Sequence, residues 1–226
     1  MTHPTWPLFD LRIRTPRLVL RPVDEQAATE LMVLADRGVH EPGTMPFVVP
    51  WTTTPLPQRH WEGMQYYWGR WATWSAEEWH LPFASYAVDP SSGGGAPTLV
   101  GMIELGARGF PTARVVDTGS WIGRDFHGAG FGTEQRAAML RFAFDALGAT
   151  RAVSAAWEDN TASRRVSEKL GYRDNGDHVA SSEGRSRRGV DFAFDVEDWR
   201  REAAVNPLHV PVEVDGLAAA LPQFGL

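Results

Sequence analysis

The spacing of apolar positions changes repeatedly along the chain, and each change marks an element. Arg17-Leu18-Val19-Leu20-Arg21-Pro22 has strand spacing and is closed by its proline. Asp24 is placed to cap a helix running to about Asp36, with Leu31, Leu34 and Ala35 on its apolar face. Residues 38–57 then hold five prolines in twenty positions, which is too broken for a helix and marks a long binding loop or lid. From Gln58 to Trp79 helical spacing returns in Trp61, Met64, Gln65, Trp68, Trp71 and Trp74, one helix or two. The aromatic stripe reads first as core packing. A ligand-facing cage and a subunit interface, hence a homo-oligomer, are its other readings.

Strands are expected at Leu81–Val88 and Thr98–Leu105, joined by a hairpin turn over Asp89–Pro97, and at Arg114–Ile122 after a loop over 106–113. Met139, Phe142, Ala143, Ala146 and Leu147 repeat at i, i+3, i+4, i+7, i+8, one face of a helix that Gly148 ends. Strand Arg151–Trp157, helix Thr161–Leu170, and strands Tyr172–Ala180 and Arg187–Val196 follow. A short helix lies around Trp199, then a loosely patterned tail from Ala204. The order predicts an α/β (α+β) fold: a mixed, mostly antiparallel sheet of about seven strands flanked by helices. We expect one domain over 1–203 (core 15–200, with residues 38–80 inserted as lid and Trp-rich helix) and a tail over 204–226. Ligands of such sheets sit where neighbouring strands part, here between 114–122 and 151–157.

Composition narrows the chemistry. A formal charge of −6 argues against a nucleic-acid partner, and the absence of cysteine removes disulfides, thiolate metal sites and cysteine nucleophiles. No apolar run reaches membrane-spanning length and no export signal opens the chain, which fits a cytoplasmic protein without a membrane partner.

The expected strand–helix junction Trp121-Ile122-Gly123-Arg124-Asp125-Phe126-His127-Gly128-Ala129-Gly130-Phe131-Gly132-Thr133-Glu134 carries glycine at three alternate positions. Unpaired amides at a helix N-terminus make an anion site, and glycine lets a diphosphate approach the backbone. A turn that merely turns is the simpler reading. There is no P-loop lysine, and the spacing is not that of a dinucleotide turn, so ATP and NAD are disfavoured. A second segment, Asn160-Thr161-Ala162-Ser163 with Ser167 and Lys169-Leu170-Gly171-Tyr172, reads by itself as a well-capped helix.

Together the two segments resemble the GNAT superfamily of acyl-CoA-dependent N-acyltransferases, whose pyrophosphate loop Gln/Arg-x-x-Gly-x-Gly/Ala stands here as His127-Gly128-Ala129-Gly130-Phe131-Gly132. Gly119–Ile122, Thr133-Glu134 and Asn160-x-x-Ser163 look like its RimJ/RimL branch. Trp6–Leu11 and Met45–Trp51 are similar to an actinobacterial subgroup for which succinyl-CoA is implied beside acetyl-CoA. The resemblance covers about 17–199 and implies strands splayed around acyl-CoA. It also implies cofactor contacts from Trp121, Ile122, Gly123, His127, Gly128, Ala129, Gly130, Phe131, Gly132, Thr133, Asn160 and Ser163, with no metal. Ser163 would protonate the thiolate, with Ser167 in reserve, and the partners would be acyl-CoA and an amine. For the base, Glu104 and Asp117 are the strand carboxylates best placed, with His40 and Glu41 in the lid behind them. Four departures stand out: His127 for Gln/Arg, Ser167 for a frequent tyrosine, Ala155 for a glutamate, and no acid around Gly109-Phe110-Pro111. A non-catalytic acyl-CoA-binding protein of the same fold is the competing reading.

Overall fold

The computed structural model describes residues 3–88 and 96–226, so most of the expected Asp89–Pro97 turn lies outside the described residues. Among the described residues one sheet of nine strands is formed: β1 (Arg12–Arg14), β2 (Leu18–Pro22), β3 (Glu78–Ala87), β4 (Thr98–Arg108), β5 (Val115–Ile122), β6 (Arg151–Trp157), β7 (Arg173–Ser182), β8 (Arg185–Asp195) and β9 (Glu213–Asp215). Their spatial order is β7-β8-β6-β5-β4-β3-β2-β1-β9. Every neighbouring pair is antiparallel except β5–β6. The seven expected strands are all present. The two extra ones, β1 and β9, have three residues each, too few for alternation to register in sequence.

Helices cover both faces. On one lie α1 (Glu25–Asp36) and α2 (Gln58–Ala72), packed on Ala84, Tyr86 and Met102. On the other, α4 (Phe131–Arg141) packs against β2, β4 and β5, in one core with Leu20, Ile103, Leu105 and Val116, and continues into a π-helical turn over Phe142–Ala146. With both faces covered, β3 and β4 are buried almost throughout, which is why they show no clean alternation. Asp24 caps α1 by accepting from the Ala27 amide, as expected.

Three segments depart from the sequence reading. Helix α2 stops at Ala72, and its inward residue is Tyr67, with Met64 and Trp71 beside it; Trp61 and Trp68, one heptad apart, point outward at 63% and 46% exposure. The loop over 106–113 holds one helical turn, α3 (Phe110–Ala113), which buries Phe110. After α5 (Thr161–Lys169) and α6 (Val196–Val205), residues 204–226 carry β9 paired to β1, the short helix α7 (Leu217–Ala220) and a fully buried Phe224 against Trp74, Trp79 and Phe142.

Candidate functional site

The site begins where β5 and β6 part. They pair in parallel only at Val115–Arg151, Val116–Ala152 and Asp117–Val153, although β5 runs on to Ile122 and β6 to Trp157. Each strand stays held by its outer neighbour, β5 by β4 as far as Gly101–Ile122 and β6 by β8 as far as Trp157–Gly189. The inner edges therefore diverge as a fork. Gly123 donates its amide to the Val100 carbonyl at 2.8 Å. By antiparallel alternation Trp121 also turns its backbone toward β4, while Ser120 and Ile122 present theirs to the fork.

From Ile122 the chain makes a 3-10 turn over Arg124–Phe126 and enters α4 through His127–Gly130. Gly128 and Gly130 have φ of +77° and +85°, a left-handed backbone that glycine adopts without a Cβ penalty. The first bonds into the helix run from the Thr133 and Glu134 amides to the Gly130 carbonyl. Among the described residues, the amides of Gly128, Ala129, Gly130, Phe131 and Gly132 meet no acceptor. They sit at the positive end of a helix dipole, on an exposed loop. His127 does not point outward as a free cation: its Nε2–H donates to the Ile122 carbonyl at 2.9 Å, tying the loop to the strand end.

The loop is also held from outside by Arg17, which sequence reasoning did not single out. Its Nη1 donates to the Ala129 carbonyl at 2.9 Å, its guanidinium lies 5.0 Å over the Phe131 ring, and it pairs with buried Glu134 at 2.6 Å. The Thr15 hydroxyl donates to the same carboxylate at 2.6 Å. Only the contact between the β1–β2 turn and α4 makes this clamp.

Helix α5 flanks the fork. Asn160 caps it, Oδ1 accepting from the Ser163 amide at 3.1 Å, so Asn160 and Ser163 stand at its first turn. Ser167 lies deeper and is fully buried. Its hydroxyl accepts from Arg136 Nη1 at 3.0 Å, and Nη2 of the same guanidinium donates to Ser120 Oγ at 3.3 Å. One buried arginine thus bridges β5 and α5 across the fork. Arg136 Nε is buried there without a partner among the described residues, and burial pulls the arginine's pKa below its ordinary value.

The other face of β4 and β5 carries a charged cluster. Glu104 accepts from Tyr66 OH at 2.6 Å, from Arg70 Nε and Nη2 at 3.1 Å, and from His80 Nδ1 at 3.0 Å. Burial alone would push its carboxyl up, but His80, Arg70 and Tyr66 outweigh it and hold Glu104 below the usual carboxylate range. Asp117 goes the other way: burial raises it, with His80 opposing and Glu104 adding. Gly106 makes room for both groups, since a Cβ there would come within 2.6 Å of His80 Nδ1 and 2.7 Å of Asp117 Oδ1. His80, Tyr66 and Arg70 lie 24 to 38 residues from Glu104 in sequence, and no spacing signal joins them.

Beside this cluster a cleft of about 400 Å³ opens between the lid, α2 and the sheet, touching Tyr66, Glu104, Gly119, Ser120 and Trp121. His40 and Glu41 belong to the lid's internal bonding: His40 Nε2 meets Thr52 Oγ1 at 2.8 Å and Nδ1 meets the Glu41 carbonyl at 3.0 Å. Among the described residues no three His, Asp or Glu side chains converge as metal ligands, and no helix is long and apolar enough to cross a membrane.

Residues 17–173 match the acetyltransferase (GNAT) domain family. Among solved structures, a GCN5-related N-acetyltransferase from Brucella melitensis superposes with a TM-score of 0.63 at 23% identity, covering 84% of this chain and 80% of its own. RimL, the ribosomal L7/L12 alpha-N-protein acetyltransferase solved with coenzyme A, gives 0.64 at 16% identity, covering 81% and 97%. A GNAT-family acetyltransferase from Bacillus anthracis gives 0.57 at 16%, covering 82% and 99%. At these identities the structures share the fold with this chain.

Proposed function

The chain belongs to the GNAT acetyltransferase family, and we propose that it moves an acetyl or succinyl group from CoA to a primary amine by direct attack in a ternary complex, within the family's RimJ/RimL-type branch. The observation that carries this is the row of acceptor-free amides at Gly128–Gly132, set beside two diverging strand edges. The diphosphate lies on those amides and on the Thr133 hydroxyl, with Arg17 fixing the loop. Pantetheine extends into the fork and pairs with the backbone of Ser120, next to Trp121 and Gly123, as an added strand would, while the Ile122 carbonyl stays with His127 and its N–H faces the thioester. Asn160 and Ser163 border its other side.

The amine enters from the cleft at Gly119–Trp121. Its nitrogen attacks the thioester carbonyl carbon, the Ile122 N–H holds the resulting oxyanion, and the C–S bond breaks. The Ser163 hydroxyl protonates the departing thiolate, because the Ser167 O–H is directed at the Ser163 carbonyl at 3.4 Å. The amine's own proton goes to the His80–Glu104 pair. The low-pKa carboxylate accepts the Nδ1–H and leaves the Nε2 lone pair to take a proton through water.

Support for a succinyl donor comes from Arg136, a buried cation whose hydrogen bonds go to serine hydroxyls. A carboxylate at the end of the acyl chain would supply the missing anion. Steady-state release of CoA, measured with acetyl- and succinyl-CoA against primary amines, tests the assignment. Turnover on any amine supports it. Tight acyl-CoA binding without release on every amine points instead to a non-catalytic acyl-CoA-binding protein.

A further inference from the structure

We propose that the cleft accepts a small primary amine carried on an apolar, aromatic-sized body, and not a polypeptide N-terminus; this rests on the acyl-CoA reading above. Three observations carry it.

The first is the wall. Phe47 and Trp51 of the lid lie 5.4 Å apart centroid to centroid, and Trp51 lies 5.9 Å from Trp121 of β5. The rings form a continuous path from the cleft mouth to the fork, completed by Val49, Met102 and Tyr66. A buried polypeptide brings a donor and an acceptor with each residue, and both need partners. Ring carbons and Val and Met side chains offer none, and of the cleft's polar side chains Arg59 is held by Thr52 and Asp36 and Tyr66 by Glu104, whereas an aryl or alkyl body needs none.

The second is enclosure. The lid that carries Phe47 is tied across the fork to the far strands. Arg187 Nη1 donates to the Met45 carbonyl at 2.6 Å, and Trp157 Nε1 and Ser182 Oγ donate to the Phe47 carbonyl at 3.3 and 3.4 Å. The cleft's volume of about 400 Å³ is the size of a small-molecule pocket.

The third is charge. Glu62 lines the same cleft, and its carboxylate accepts from neutral Gln58 at 2.6 Å and Thr54 at 3.3 Å. Among the described residues it has no ion-pair partner, in contrast to Glu104 with Arg70 and His80. An amine enters as its ammonium form; Arg59 of the same cleft is paired with Asp36 at 2.7 Å, which leaves the Glu62 carboxylate to complement that form.

The test holds acetyl-CoA at saturation and compares initial CoA-release rates for 2-phenylethylamine, n-hexylamine and N-terminal tetrapeptides. We expect the aryl-alkyl amine to exceed the peptides in kcat/KM by about tenfold or more. Trp51→Ala and Glu62→Gln should each raise its KM by roughly tenfold, with kcat changed less. The Kd of acetyl-CoA, titrated separately, should stay unchanged in both variants. Faster turnover of the peptides overturns the proposal, and so does an unaltered KM in both variants. If no amine turns over, tryptophan fluorescence of the CoA complex decides: no change on adding 2-phenylethylamine overturns the acceptor class, and a saturable change supports it. Failure of acetyl-CoA itself to bind removes the underlying reading as well.

Discussion

Arg136 donates to the Ser167 hydroxyl at 3.0 Å, joining α4 to α5 beside the fork, and among the described residues it has no carboxylate partner. A buried guanidinium without an anion is costly to the fold, and its replacement by a hydrocarbon of similar volume is often neutral or stabilising by about 1–4 kcal/mol. Arg136→Met is therefore expected to melt at the same temperature as the parent or higher. With succinyl-CoA the same variant should lose about 2 kcal/mol or more of transition-state stabilisation, roughly 30-fold in kcat/KM, while acetyl-CoA suffers less. A large drop in melting temperature, or equal losses with both donors, would refute the carboxylate role.

Gly101 lies on β4 opposite Ile122. A Cβ there would stand 2.3 Å from the Trp121 carbonyl oxygen and 2.9 Å from the Ile122 Cα, both backbone atoms. Neither can rotate away, so Gly101→Ala must push β5 off β4 at the strand end that leads into the glycine loop. We expect a loss of about 1–3 kcal/mol in chemical denaturation, as for other overpacked sites. Acyl-CoA affinity, followed by calorimetric titration, should weaken too. Unchanged values of both would mean the strand end is not built this tightly.

Phe224 tests the tail. It is fully buried against Trp74, Trp79 and Phe142, and the Trp74 indole donates to the Gln223 carbonyl at 2.9 Å. Phe224→Ala should cost about 3–5 kcal/mol of stability. A tail that merely trails from the domain would give no measurable change in the denaturation midpoint.

These cases mark what local sequence can and cannot carry. The glycine loop and the capped helix at Asn160 were legible because their chemistry lies in consecutive residues: positive φ at Gly128 and Gly130, and a side-chain cap three residues from its amide. The clamps were not legible. Arg17 reaches Glu134 across 117 residues, and Arg136 reaches Ser167 across 31. Glu104 could be picked as a carboxylate on a strand, but its low pKa comes from partners on β3 and α2 that only folding assembles. The tail failed for a different reason: β9 is three residues long, and Phe224 is one isolated anchor without periodicity. On α2 the many tryptophans misled, since the buried phase runs through Tyr67 and leaves Trp61 and Trp68 in solvent.

His209 sets an acid-side sensitivity. It is buried between the rings of Phe194 and Trp199, its Nε2–H donates to the Leu170 carbonyl at 3.0 Å, and Nδ1 is buried without a partner. Burial lowers its pKa below the ordinary 6.5, with Arg141 adding and the Leu170 carbonyl and Glu202 opposing. With the folded pKa depressed, the unfolded chain takes up the proton first as pH falls, so stability is full above 6.5 and declines below it. Glu104, also depressed, adds its own loss only below its ordinary 4.5. Melting curves should fall between pH 7.5 and 5 in the parent and flatten in that window in His209→Gln. An equal slope in both would reassign the effect.

The central claim is that main-chain nitrogens at 128–132 grip the diphosphate of acyl-CoA, and amide hydrogen exchange reads those nitrogens directly. With saturating acyl-CoA, peptides spanning 120–133 should gain the largest protection in the chain. Bound acyl-CoA that leaves exchange at 128–132 unchanged, or that protects another segment instead, would contradict it.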